Sequence, residues 1–391
     1  MVPSRLHPPR LPAKKGVGDE DSLGEVAPRQ LLGSTNRTET QRIRPMPKAS
    51  GTRRQLLRSS FAGAALIASS RHAARGFTGN DGPNPAQRAQ IAITLDLEMS
   101  RHYPTWDDMH WDCEKGNLDD TTKRYAVEAA RRVKAKGGLI HFFAVGRVLE
   151  QENVDWLKQI HLEGHPVGNH TYDHVNILAK TSDQLQFRFQ RAPWLIEGKT
   201  PEKVIAENID MAGRALRQRV GIKAAGFRTP GGFHNGLRDR PDLQKLLLGQ
   251  GFRWVSSLYP QHPTTKPGEA PTRQTFDDIV KAQQAAQPFL YPTGLIEIPM
   301  SPISDVNAFR TCRWKLESFL HAIRLGVEWA IENQATYDFL AHPSCLAIAD
   351  PEFKAVELIT DLVRKAGDRA SIVTLDAIAS KAAENVPSSR S

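Results

Sequence analysis

The sequence contains few cysteines and no long apolar segment. Its three cysteines, Cys113, Cys312 and Cys345, form no C-x-x-C pair, which argues against a cysteine zinc site. One disulfide would leave a single thiol over, but we expect three unpaired and mostly buried thiols. No run approaches the roughly 20 apolar residues that span a bilayer, so the sequence predicts no transmembrane segment.

Excess positive charge is absent from most of the chain, although the formal net charge of its 391 residues is +9. Residues 1–82 hold 14 Lys and Arg against 6 Asp and Glu, so the remaining residues carry a net charge of only +1. No basic stripe is interleaved with aromatic residues, as a nucleic-acid-binding surface requires. The composition, 40% hydrophobic and 24% charged, is that of a globular protein with a sizeable core.

Residues 1–82 have the composition of a disordered leader. Within them, Arg53 and Arg54 precede a short, weakly apolar segment of small residues at 59–68, which resembles a twin-arginine export signal. The alternative is a basic tail with an ordinary arginine pair. We expect an exported protein in the periplasm or at the cell surface, and a start at Met46 would give the signal its normal length.

After residue 88 the chain alternates between short apolar runs and amphipathic segments, which is typical of strands that alternate with helices. This pattern predicts a parallel sheet with helical crossovers, and about seven units favour a barrel over an open sheet. Active sites of both architectures form at the carboxyl ends of the strands. The predicted strands are 91–95, 139–145, 224–227, 254–258, 295–299, 337–341 and 371–375, and the predicted helices are 121–136, 154–163, 201–220, 243–250, 314–333 and 353–366.

Three short segments combine charged and imidazole side chains near predicted strand ends. Asp96 and Glu98 could hold a metal or act as a base, although a salt-bridged turn explains such a pair as well. His170 and His174 would face the same way in a helix, as two metal ligands must, but such a pair is a weak signal among 13 histidines. The third segment, GFRTPGG at 226–232, follows an arginine with a turn that lets the backbone approach a ligand.

The order and spacing of these segments resemble the polysaccharide deacetylase family, also called NodB-homology or carbohydrate esterase family four. The family's T-F-D-D corresponds to TLDL at 94–97, and its G-H-E-I-G-N-H-[TS]-x-x-H corresponds to GHPVGNHTYDH at 164–174. Its F-R-x-P-x-G corresponds to FRTPGG at 227–232. Further matches are IHFFAVG at 140–146 and, more loosely, GFRWVSS at 251–257 and LAHP at 340–343. The resemblance covers residues 88–382, which we take as the catalytic domain.

The resemblance implies a distorted (β/α) barrel that hydrolyses an amide with the help of a metal. His170 and His174 would bind one divalent ion together with a carboxylate; Zn²⁺ is expected, with Co²⁺, Mn²⁺ or Ni²⁺ as alternatives. Asp96 would be the general base that deprotonates the attacking water, and Arg228 would hold it ionised. His342 would protonate the leaving amine as the general acid.

Two positions depart from the family pattern. The carboxylate that usually ligates the metal directly follows the base, but here that residue is Leu97. Because side chains two apart in a strand share a face, we expect Glu98 to replace it in an Asp-x-Glu form of the motif. The aspartate that tunes the general acid in the fourth segment is replaced by Val255. Alternative carboxylate ligands in the loop after Glu98 are Asp107, Asp108 and Asp112.

The resemblance also indicates how a substrate is bound. The candidate residues are Tyr172, Pro230, Gly231 and Trp254: the backbone N–H of Tyr172 would stabilise the oxyanion, and Trp254 would stack on a sugar. Residues 185–203 have no counterpart in short family members and form either a rim over the cleft or a packed layer.

We expect the protein to remove acetyl groups from an N-acetylated polysaccharide or oligosaccharide, such as peptidoglycan, a chitin-like oligomer or an exopolysaccharide. One alternative is hydrolysis of a non-sugar amide or cyclic ureide, as in the allantoinase-like branch, which can dispense with metal. Another is carbohydrate binding without turnover.

Replacing both Arg53 and Arg54 by Lys is expected to retain the protein inside the cell, because the export signal depends on the arginine pair. Immunoblots of cytoplasmic and periplasmic fractions measure the distribution, with Arg58→Lys as the matched control. Undiminished export of the double variant would show that the leader has been misinterpreted.

Overall fold

Strands at the centre of the molecule carry the residues singled out above. The structure, a computed structural model, describes residues 88–99 and 115–384. Outside these residues lie the leader with Arg53 and Arg54, the acidic candidates 107, 108 and 112, and Cys113. The strands are β1 (Ala89–Leu97), β2 (Ile140–Ala144), β3 (Val167–Asn169), β4 (Phe227–Phe233), β5 (Trp254–Leu258), β6 (Phe289–Leu290), β7 (Ile296–Glu297), β8 (Thr336–Ala341) and β9 (Ala370–Ile372).

Helices follow most of the strands, as a parallel sheet with crossovers requires. They are α1 (Asp120–Ala135), α2 (Asp155–Leu162), α3 (Phe187–Arg191), α4 (Pro201–Val220), α5 (Pro241–Gly249), α6 (Arg273–Ala285), α7 (Leu316–Glu332), α8 (Pro343–Ala349), α9 (Lys354–Ala366) and α10 (Leu375–Glu384). Short 3₁₀ helices lie at Gly146–Glu150, Ser182–Gln184, Pro193–Leu195 and Gly367–Arg369, and a π-helix at Val306–Thr311. Sequence signals set the ends of α4: Thr200 caps it, Pro201 begins it, and left-handed Gly221 terminates it.

The strands form one curved sheet in the order β6-β7-β5-β4-β3-β2-β1-β8, with β9 paired to β1. The neighbouring strands are parallel except for the antiparallel pair β6 and β7. After β7, Ile298 N donates to Val255 O of β5 (2.9 Å) and Ser301 N donates to Asp338 O of β8 (2.8 Å). The chain therefore connects the two sides of the sheet, which confirms the predicted distorted (β/α) barrel.

The central strand β1 separates the main core from the barrel interior. Its side chains alternate as a strand requires: Ile91, Ile93, Leu95 and Leu97 belong to the large cluster beneath α1, α7 and α9. Thr94 and Asp96 occupy the alternate positions and are buried with the polar groups of the interior. This alternation places a carboxylate inside the barrel while the opposite face of the same strand packs against helices.

Most predicted elements are confirmed, but one strand begins later than expected and two are shorter. The strand predicted at 224–227 begins only at Phe227, because Gly226 has a φ of +73° that breaks the extended backbone. Of 295–299 only Ile296–Glu297 pairs as β7, and Leu375 begins α10 instead of ending β9. Cys312 and Cys345 are free and buried, as expected. Among the residues that the structure describes, no helix is long and apolar enough to cross a membrane.

Replacing Gly226 by Ala is expected to lower the free energy of unfolding by about 2–5 kcal/mol. A Cβ there would overlap the Trp254 ring, and the positive φ disfavours any other residue. Urea denaturation measures the change. The matched control is Gly249→Ala in α5, where a Cβ meets nothing within 4 Å; it should stabilise by up to about 1 kcal/mol. Equal stability of the two variants would contradict this account of the start of β4.

Candidate metal centre and active site

Three side chains at the carboxyl ends of β1 and β3 converge on one point. Glu98 follows β1, and His170 and His174 follow β3. One ligand atom from each lies within 4.8 Å of the other two. The Oε2 atom of Glu98 is 2.6 Å from Nε2 of His174 and 3.5 Å from Nε2 of His170. The structure therefore brings together the three predicted metal ligands, including the displaced carboxylate.

The two histidines converge through a strained loop and not on the face of a helix. Thr171 and His174 have positive φ angles of 56° and 59°, which a helix does not allow. Hydrogen bonds hold this conformation: Thr171 N donates to Asn169 Oδ1 (2.9 Å), and Asp173 N donates to Asn208 Oδ1 (2.8 Å). Residues in such sparsely populated conformations cluster at functional sites.

The protonation of the imidazoles suits metal binding. The Nδ1 atom of His170 lies 3.0 Å from Arg228 O, so it donates there and leaves Nε2 facing the centre. Burial lowers the pKa of His174 to about 4, so this ring is neutral at neutral pH. Burial opposes ionisation of Glu98, but His174 and the ammonium of Lys115 against its Oε1 hold its pKa well below the usual range. Sequence reasoning missed Lys115, because it lies on no motif.

Arg228 lies fully buried inside the barrel and holds the predicted base. Its Nη1 is 3.2 Å from Asp96 Oδ1 and donates to Thr94 Oγ1 at 2.7 Å. Its Nη2 lies 2.5 Å from Asp338 Oδ2, and its guanidinium carbon is 4.5 Å from the Phe143 ring centre. Burial raises the pKa of Asp338 to about 6 in spite of Arg228. The sequence signal for Asp338 is an acidic residue within the apolar strand predicted at 337–341, and it was not recognised as part of the site.

The predicted general acid is held by a carboxylate that sequence reasoning also missed. His342, which follows β8, has its Nδ1 2.9 Å from Asp305 Oδ1, and its backbone N donates to Asp305 Oδ2 at 2.7 Å. Burial by itself would lower the pKa of His342, but Asp305 and the nearby Glu98 raise it above its ordinary value. The other ring nitrogen, Nε2, is 3.5 Å from Glu98 Oε1 and faces the centre.

The clustered ligands, Asp96 and His342 open into one cavity of about 240 Å³, whereas Arg228, Asp338 and Asp305 lie behind its wall. Its lining includes Asp96, Glu98, Lys115, His170, His174, Gly231, Tyr259, Met300, Arg310 and His342. Gly231 belongs to this wall as predicted, and Pro230 lines a neighbouring depression. The structure contradicts the sugar-stacking role predicted for Trp254. This side chain is buried against His141 and Phe143, and its Nε1 donates to Asp376 (2.8 Å), so it packs the interior and stacks on no sugar.

The remaining predicted substrate residue, Tyr172, lies beside the centre. Its hydroxyl donates to Glu150 Oε1 at 2.8 Å and its carbonyl accepts from Arg147 N, so its side chain faces away from the metal ligands. The role predicted for its backbone N–H stays a prediction.

Comparison with known proteins agrees with this geometry. Residues 102–241 match the family model described as polysaccharide deacetylase. This part of the chain is therefore similar to a polysaccharide deacetylase domain. Deacetylases of this family are hydrolases that act on amide bonds. No curated protein matches the sequence.

Solved structures share this fold at low sequence identity. A putative polysaccharide deacetylase from Mycobacterium smegmatis is 16% identical with a TM-score of 0.52, over 80% of this chain and 96% of that chain. A probable polysaccharide deacetylase from Pseudomonas aeruginosa PAO1 is 15% identical with a TM-score of 0.52, over 79% and 97%. Puue allantoinase is 14% identical with a TM-score of 0.53, over 79% and 96%. At these identities the likeness shows the fold.

The donor set of the Glu98–His170–His174 cluster fits a divalent metal. Two imidazoles and one carboxylate are the ligands of catalytic zinc sites that keep a position open for water or substrate. The ring of His174 is neutral, His170 is oriented by a backbone carbonyl, and Glu98 is ionised. These three residues would hold the ion.

Replacing Asp305 by Asn is expected to shift the alkaline limb of the pH–rate profile to lower pH. His342 can donate a proton only below its pKa, which Asp305 raises, so without that charge activity ends at a lower pH. On the alkaline side kcat should fall at least about tenfold. Acetate release measured across pH tests this. Asp350→Asn is the control: Asp350 is a buried carboxylate that caps α9, and its loss should reduce stability without moving the limb. An unmoved limb in Asp305→Asn would contradict the pairing.

Proposed function

We propose that this protein is a metal-dependent hydrolase that removes acetyl groups from the N-acetylated sugars of a polysaccharide. One observation carries the proposal: the Glu98–His170–His174 cluster lies in the same cavity as a carboxylate and an imidazole, each held by its own buried partner. Asp96 is held by Arg228, and His342 is held by Asp305. A base and an acid beside one metal site are what amide hydrolysis needs.

The residues of this chain divide the proton transfers between them. When bound, a divalent ion supplies the Lewis acidity that polarises the acetyl carbonyl and acidifies water. Asp96 accepts the proton of the attacking water, and the guanidinium of Arg228 orients its carboxylate. His342 donates a proton from Nε2 to the departing amine, while Asp305 holds Nδ1 and fixes the direction of the ring.

The ion would be Zn²⁺, because two neutral imidazoles with one carboxylate form a ligand set typical of that metal. We also propose that the protein is exported through its twin-arginine-like leader. Access to an extracellular or periplasmic polysaccharide requires export, and such a route would carry the folded domain with its metal.

A second candidate function is hydrolysis of a non-sugar amide or a cyclic ureide without metal. The observation that favours it is the ammonium of Lys115 against Glu98 Oε1, since this cation already neutralises the carboxylate. The fold is also similar to that of Puue allantoinase. In this reading, Lys115 would replace part of the charge that a metal ion brings to the centre.

Removal of metal by a chelator is expected to reduce acetate release from an N-acetylglucosamine hexamer by about a hundredfold or more, and Zn²⁺ should restore it. Coupled acetate assays and metal analysis measure both effects, with one ion expected per chain. Full acetate release by the metal-free protein would contradict the metal dependence, whereas no release from the hexamer with or without metal would favour the second candidate.

Asp96→Asn serves as the matched variant for that experiment. It should bind metal with wild-type stoichiometry, because Asp96 is not one of the three clustered ligands, yet lose about 10²–10⁴-fold in kcat. Glu98→Gln makes the same kind of change at a proposed metal ligand. This variant should lose both the metal ion and the activity. Turnover retained by Asp96→Asn would rule out Asp96 as the base.

A further inference from the structure

Connected depressions lead from the metal centre to an exposed tryptophan. The active-site cavity shares His174 and Gly231 with a second depression of about 300 Å³. The second shares Asp183 and Gln190 with a third of about 630 Å³, which Trp194 lines. The second and third depressions, lined largely by residues 182–199, form one groove, which we call the insert groove. It opens directly onto the proposed metal ligands.

Residues 182–199, which we call the insert, are anchored to the rest of the domain. Its apolar side chains Leu185, Phe189 and Ile196 are buried in the hydrophobic cluster beneath α4 and α5. Arg188 pairs with Asp173, the residue that precedes the ligand His174. The groove is therefore a preformed surface, and its position relative to the metal centre is fixed by an ion pair.

Trp194 stands out because it leaves a large apolar side chain in solvent two residues before the buried Ile196. Its side chain is 68% exposed, and it is the one aromatic residue among the large exposed hydrophobics of the described chain. It lies in the 3₁₀ helix Pro193–Leu195, which backbone hydrogen bonds from Leu195 to Ala192 and from Ile196 to Pro193 hold in place. A fixed, exposed indole offers a flat apolar face beside polar groups, which suits the apolar face of a sugar ring.

The polar lining between Trp194 and the metal centre consists mainly of neutral amides. Asn176, Gln184, Gln186 and Gln190 line the second depression, and neither Lys nor Arg is among its lining residues. The third depression contains Lys199 together with Asp183 and Glu197. Amide side chains donate and accept hydrogen bonds, as sugar hydroxyls do. This balance suits an uncharged chain, whereas a polyanion would need a basic surface.

We propose that the insert groove binds the neutral sugar units that adjoin the reacting N-acetyl sugar, with Trp194 stacking on a ring remote from the metal. This inference rests on the proposed deacetylase function, which places the reacting sugar at the metal centre. It makes the substrate a neutral oligomer or polymer recognised over several units, because Trp194 and His174 line different depressions. The insert then determines chain-length preference and leaves the chemistry unchanged.

Steady-state kinetics on N-acetylglucosamine, its dimer and its hexamer test the groove. KM of the wild type should fall as the oligomer lengthens. Trp194→Ala should raise KM for the hexamer about tenfold, the effect of losing roughly 1.4 kcal/mol of binding, and leave kcat and the monomer unaffected. Trp194→Phe should retain most of the hexamer affinity. The matched control is Leu162→Ala, which removes an even more exposed apolar side chain on α2 outside the groove and should change nothing.

A binding measurement separates this inference from the proposed function. In the Asp96→Asn background, the hexamer should alter tryptophan fluorescence, and Trp194→Ala should abolish that change. Added salt should not weaken hexamer binding, because the ligand is uncharged. If the hexamer KM and the fluorescence response are the same with and without Trp194, the insert groove does not bind the sugar chain. That result would leave the proposed deacetylase function unaffected. Hexamer binding that depends on Trp194, without acetate release from any oligomer, would support the groove and refute the deacetylase function.

Discussion

The buried guanidinium of Arg228 is the interaction on which the rest of the site depends. A cation removed from water inside a barrel needs counter-charges, and losing one partner of such a group costs about 3–5 kcal/mol. Here the charge is met by Asp96 of β1 and Asp338 of β8, while Phe143 of β2 packs against its face. One side chain of β4 therefore fixes the relative positions of three other strands and aims a carboxylate at the metal centre.

Sequence patterns predicted the parts of this arrangement that depend on local chemistry. Apolar runs located the central strands, and the motif around His170 and His174 predicted the ligands that the structure brings together. The loop conformation was beyond such reasoning, because an i, i+4 pair suggests a helix and the left-handed φ angles of Thr171 and His174 have no signature in these residue types. Lys115, Asp305 and Asp338 were missed because their roles arise only when distant segments meet.

Asp305 shows why a departure from a family pattern need not remove a function. The fourth segment has Val255 where an aspartate was expected, and that side chain is completely buried in an apolar cluster. The requirement, however, is a carboxylate on Nδ1 of His342, and the segment after β7 supplies it at 2.9 Å. Since this segment also connects β5 to β8, the chain that completes the barrel delivers the partner of the acid.

The strained loop from His170 to His174 also depends on residues that are distant in the sequence. Positive φ at two non-glycine residues costs of order 1–3 kcal/mol each, so the surrounding structure must stabilise it. Asn169 of β3 and Asn208 of α4 hold the backbone, and the pair of Asp173 with Arg188 ties the loop to the insert. A regular helix could present two imidazoles without this support, but its side chains would lie along one face. The non-helical loop instead lets β3 end at the centre and directs the chain outwards, so that one short segment serves both the metal and the insert groove.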